Sequence, residues 1–121
     1  MSKPARSIFV FGIYLVATGL ILFAIPDVLL GLLRLTPTND PWIRVLGVAV
    51  GAQGAIHLAA ARQELTGFFR ASVWARGIVL FALGLLVVLH WGPPILVGFG
   101  LIDTAGAMWT RTALRSQMDP A

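Results

Sequence analysis

The chain has 121 residues, 58% of them hydrophobic and 12% charged, with a formal net charge of +4. A soluble domain carries about 25% charged residues, so a chain this apolar, with a mean hydropathy of +0.87, cannot clothe itself for water. A soluble enzyme and a disordered tail are excluded, and the absence of cysteine excludes a disulfide scaffold, thiol catalysis and Cys-ligated metals. The class that remains is an all-α integral membrane protein, and residues 1–121 allow one domain.

A helix needs about 20 largely apolar residues to cross a ~30 Å hydrocarbon core. Residues 7–26 carry no charge behind a short basic start, which is longer than a signal-peptide core and has no clear small-x-small cleavage site after it. A retained first span over about 8–25 is therefore expected. Pro26-Asp27 closes it. Residues 28–35 are too few to cross and read as an interfacial helical turn. The loop at 36–41 is rich in Thr, Asn, Asp and Pro, which bend chain and cap helices, and it sets Trp42 at an interface.

The second span is predicted over about 42–61, the third over about 72–91 and the fourth over about 94–111. The polar stretch 62–67 separates the second from the third. Gly92-Pro93-Pro94 forces a tight turn before the fourth, because two prolines cannot continue a helix. With a cytoplasmic N-terminus, Lys3, Arg6, Arg62, Arg70, Arg76, Arg111 and Arg115 fall inside and only Arg34 and Arg44 outside. With four spans, that asymmetry predicts a four-transmembrane-helix bundle with both termini cytoplasmic. The basic residues then meet lipid headgroups, and no basic, aromatic-interleaved patch suggests nucleic acid.

On the second span Gly47, Gly51, Ala55 and Ala59 recur every four residues. A stripe of small residues lets another backbone come close, either within the chain or in a homo-oligomer. Gln53 and His57 share a face that points nearly opposite the stripe. Gly12 and Gly19 on the first span, and Gly77 and Gly84 on the third, stand seven apart, a spacing suited to left-handed packing.

Ionisable groups in hydrocarbon need a reason to be there. Asp103 sits roughly 14 Å into the fourth span, near the midplane, so it must be neutral, paired or hydrated. It is read either as a proton-carrying or ligand-binding carboxyl or as an anchor bonded to a neighbouring helix. His57 is either a hydrogen-bonded packing residue or a proton relay. Arg76 either snorkels to lipid phosphates or reaches inward to Asp103 or His57. Tyr14, Gln53, His57, Arg76 and Asp103 together form a candidate polar layer. Arg44 is expected in an interfacial salt bridge to Asp27 or Asp40, or snorkelling. Neither the two histidines nor any Glu-x-x-His pair makes a metal site, and no phosphate-binding or dinucleotide motif is present. No cofactor is implied.

Gly12-Ile13-Tyr14 through Ile25-Pro26-Asp27, Trp42 to Gly47, Arg76-Gly77 and Leu101 to Gly106 resemble the small bacterial four-helix membrane proteins grouped around the DoxX-like families. The resemblance implies a four-helix bundle in the inner membrane and no particular activity. Two functions remain open. One is a non-enzymatic protein acting through helix contacts, as a homo-oligomer or an accessory subunit of a membrane complex. The other is a lipid or small-molecule binding bundle, an isomerase or proton-coupled carrier, with its site around Asp103 and His57.

Overall fold

A computed structural model of the chain describes residues 1–118. The regular structure in them is helical: α1 (Lys3–Ala24), α2 (Pro26–Leu32), α3 (Trp42–Arg62), α4 (Thr66–Val88) and α5 (Ile95–Met118). By length and composition α1, α3 and α4 are able to cross a membrane. The fourth predicted span lies in α5, which is long enough at 24 residues but more polar than the other three. It continues past Arg111 through Thr112, Arg115, Ser116 and Gln117. The interfacial turn expected at 28–35 is α2, entered by Pro26 at its first turn, where a missing N–H costs nothing.

Helix ends explain where the observed elements depart from the predicted spans. Arg34, Glu64 and His90 have φ of 58°, 55° and 60°, the left-handed conformation that glycine usually supplies after a helix. Each closes the same pair of bonds. After α2, Leu35 N–H donates to the Leu30 carbonyl (2.8 Å) and Arg34 N–H to that of Gly31 (3.1 Å). After α3 the same roles fall to Leu65 on Ala60 and Glu64 on Ala61, and after α4 to Trp91 on Leu86 and His90 on Val87. So compact a stop needs only residues 63–65 between α3 and α4. Hence α4 starts at Thr66 rather than 72 and ends at Val88 rather than 91.

The chain divides into two compact units: Met1–Ile8 with the chain from Ala60 onward, and Phe9–Ala59. In the second of these, α1 and α3 pack backbone to backbone. A Cβ on Gly19 would stand 2.5 Å from the Gly51 nitrogen and 2.7 Å from the Gly47 oxygen, and one on Gly54 only 2.6 Å from the Val16 nitrogen. No side chain larger than hydrogen fits at either position. Arg44 donates to the carbonyls of Phe23 and Ala24 (the latter at 3.3 Å). Its partner is thus the negative end of α1 rather than Asp27 or Asp40. Asp40 instead accepts the Trp42 N–H (3.0 Å) and caps the start of α3.

In the other unit α4 and α5 form an antiparallel hairpin. They come close at Gly100, where a Cβ would lie 3.2 Å from the Leu80 Cα. Phe69, Ile8, Ala5 and Ala61 are fully buried in this unit. Ser2 caps α1: its hydroxyl accepts the Ala5 N–H (3.2 Å) and donates to Glu64 (2.6 Å), and its own N–H donates to Glu64 as well (2.8 Å). Glu64 therefore plays the part that a glutamate three residues on plays in a capping box, from 62 residues away.

The glycines separate into two classes with opposite expected behaviour. Gly19→Ala forces α1 and α3 apart and should lower stability by about 1–3 kcal/mol. Gly77→Ala, where an added Cβ meets nothing within 4 Å, should raise it by about 0.5–1 kcal/mol. Thermal unfolding in one detergent checks both. The Ser2 hydroxyl, and after it the Ser2 N–H, hold Glu64 below its ordinary value of 4.5. The stabilisation this contributes is present above about that pH and fades as pH falls through the lowered value in the folded chain. Ser2→Ala should flatten the loss of stability on acidification, read as Tm against pH.

Candidate functional site

The five residues of the expected polar layer fall into the two units. Tyr14, Gln53 and His57 belong to one, and Arg76 and Asp103 to the other. His57 is buried, with Nδ1 2.7 Å from the Gln53 carbonyl. When Nδ1 carries the proton it donates there, and Nε2 is left as the acceptor. Phe11 links the two rings of this group, with its centroid 5.8 Å from Tyr14 and 5.3 Å from His57. His57 lies beside Gly12, on the α1 side of α3, rather than opposite the glycine face. The seam runs Gly47, Gly51, Gly54 and Leu58, so that Ala55 and Ala59, expected in the stripe, are exposed. Gln53, though four residues from His57, is exposed as well.

Arg76 does not snorkel. It is only 4% exposed and donates from Nε to the Ser72 carbonyl (3.3 Å) and from Nη2 to the Thr110 hydroxyl (3.0 Å). Thr110 is completely buried. Its hydroxyl lies 2.8 Å from the Ser7 hydroxyl and 3.1 Å from the Gly106 carbonyl, while the Ser7 hydroxyl lies 2.7 Å from the Pro4 carbonyl. Two hydroxyl hydrogens can fill only two of these three contacts at a time: Ser7 donates to Pro4 and Thr110 to Gly106, or Ser7 to Pro4 and Thr110 to Ser7, or Ser7 to Thr110 and Thr110 to Gly106. Arg76 is a donor in all three. The network ties the start of α1 to the N-terminal half of α4 and the C-terminal half of α5, and its chemistry is that of a structural anchor.

The same unit holds a cleft of about 670 Å³ between α4 and α5. From α4 it is lined by Arg70, Trp74, Gly77, Ile78 and Phe81, and from α5 by Thr104, Ala107, Met108, Arg111 and Arg115. Because the hairpin is antiparallel, Arg70 near the start of α4 and Arg111 and Arg115 near the end of α5 meet at one end of the cleft. The rest is almost wholly apolar. From Arg70 to Phe81 the helix rises roughly 16 Å, about half of a ~30 Å hydrocarbon core. Neither Asp103 nor His57 lines it.

Sequence reasoning passed over this cleft, although one signal was available: Arg70, Trp74, Gly77 and Phe81 follow a three-to-four residue spacing that places them on one face. The structure adds that Gly77 and Gly84, expected in a helix seam, stand in open space. No known family model matches the chain, and no curated protein or solved structure matches it. Among the described residues no three His, Cys, Asp or Glu side chains gather as a metal site would require.

Thr110→Val keeps the shape of the side chain and removes the hydroxyl on which Ser7, Arg76 and the Gly106 carbonyl converge. It should cost about 1–3 kcal/mol, measured by thermal unfolding. A variant as stable as the parent would show that the network does not hold the unit together.

Proposed function

We propose that this is a non-enzymatic protein of the cell (inner) membrane, crossing it four times with both termini cytoplasmic, that holds an amphiphile in the cleft between α4 and α5. The observation that carries this reading is the cleft itself. Its volume falls in the 300–1,000 Å³ range usual for small-molecule sites. Its lining is charged at one end and apolar along the rest, as an amphiphile requires. This moves the binding reading away from Asp103 and His57, neither of which lines the cleft, while Arg76 with Ser72 and Thr110 is committed to an anchor. The topology rests on the seven-to-two division of Lys and Arg, and the arrangement agrees with the resemblance to DoxX-like proteins.

Gln53 favours a second reading. An exposed amide in the middle of a helix able to span a membrane, beside the exposed Ala49 and Ala52, suits hydrogen bonding to a helix of a second copy or of a larger complex. One experiment tests both readings. Native mass spectrometry of the full chain released from mild detergent should show a retained amphiphile. Gly77→Leu, which grows into open space in the cleft, should reduce its retention several-fold with an unchanged helical spectrum. Full retention by that variant would refute the cleft. Under the second reading a dimer or hetero-complex appears and Gln53→Leu dissociates it, while a monomer throughout rejects it.

A further inference from the structure

Resting on the proposal that the cleft holds an amphiphile, we infer that the occupant is a net-anionic phospholipid, its phosphate held by Arg70, Arg111 and Arg115 and one acyl chain lying along Gly77 toward Phe81. Charge complementarity carries the identification. Three arginines line one end of the cleft and, among the described residues, no Asp or Glu lines any part of it. The guanidinium is planar, always charged and able to give a phosphate two parallel N–H bonds. A zwitterionic headgroup would bring its own cation into that cluster, so a lipid with net negative charge is favoured.

Depth and shape agree. Trp74 is 78% exposed, one turn from Arg70. This is the place of an indole at the headgroup boundary. From Arg70 to Phe81 the cleft runs roughly 16 Å, about the length of one leaflet's hydrocarbon, which fits a chain lying lengthwise and not a compact solute. Gly77 leaves a trough in the α4 face where an added Cβ would meet nothing. Met108, opposite on α5, is a side chain that readily adapts to a flexible chain.

The test uses the full chain with Trp42, Trp91 and Trp109 changed to Phe, so that Trp74 is the single fluorophore. It is placed in nanodiscs of phosphatidylcholine containing increasing fractions of chain-brominated phosphatidylglycerol or chain-brominated phosphatidylcholine. Brominated phosphatidylglycerol should quench Trp74 at a roughly fivefold lower mole fraction. Arg70→Gln/Arg111→Gln/Arg115→Gln should abolish that difference. The Arg111→Gln/Arg115→Gln pair, at two exposed positions, should reduce it in a chain whose fold is checked by circular dichroism.

Equal quenching by the two lipids overturns the headgroup assignment and leaves the lipid cleft standing. Preference surviving the triple substitution also overturns it. So does loss of the phosphatidylglycerol effect on adding inorganic phosphate, which would mark a free-anion site. Absence of quenching by either lipid overturns both this inference and the cleft reading. Cross-linking of Trp74-site probes to a second chain would assign the cleft to another copy, and overturns both likewise.

Discussion

In hydrocarbon an apolar side chain gains little by leaving lipid for another helix, because the two surroundings are equally oily. Whatever holds this chain together therefore has to come from close approach or from hydrogen bonds. The pairing of α1 with α3 takes the first route. At Gly19, Gly47 and Gly54 the facing backbone comes within 3 Å of where a Cβ would stand, with the Val16 and Leu58 side chains beside that line. The dispersion gained there is small for each atom pair but is collected along two turns or more. A single methyl is too large at those three positions, whereas the same helices leave Val48, Ile56 and Leu20 well exposed.

The unit built on α4 and α5 takes the second route. Its helices come close at Gly100, where a Cβ would lie 3.2 Å from the Leu80 Cα. The start of α1 is bound to it instead by hydroxyls and an arginine. A buried guanidinium is costly unless its charge and its N–H groups are answered. From the hairpin, the Ser72 carbonyl accepts from its Nε and the Thr110 hydroxyl from its Nη2. Thr110 passes the connection on to Ser7. The ends of this unit are secured at the surface as well, where Ser2 and Glu64 share a cap that neither local segment completes by itself.

Most of the helix pattern was legible because its signals are local. Apolar run lengths place α1, α3 and α4, and Pro26, the 36–41 loop and Gly92-Pro93-Pro94 mark real breaks. The finer boundaries were not legible, because Glu64 and His90 stop helices in a conformation for which glycine is the usual sign. The glycine seam was half visible. A strict four-residue count carries Gly47 and Gly51 on to Ala55, but a helix of 3.6 residues per turn brings Gly54 to the contact instead. The site was the least legible. Polar residues at matching depth suggested one layer of Asp103, His57 and Arg76. Depth says nothing about azimuth, and an arginine near a helix end gives no sign of whether it turns in or out. The cleft depends on residues that look like ordinary lipid-facing side chains until the register of α4 against α5 is known.

That register also relates the cleft to the helix ends. The strained left-handed residues Glu64 and His90 flank α4, and a charged or titratable side chain is tolerable there because those positions lie at a polar boundary. Between them α4 runs 23 residues, or ~35 Å, a full crossing with little to spare. The Glu64 end is the end where Arg70, Arg111 and Arg115 gather, and His90 marks the other. A cleft that begins at Arg70 and closes near Phe81 therefore occupies the half of the crossing next to the basic end. Its reach is set by where the helix stops. Under the proposed topology, with the basic end cytoplasmic, that half belongs to the cytoplasmic leaflet, where anionic headgroups are most abundant.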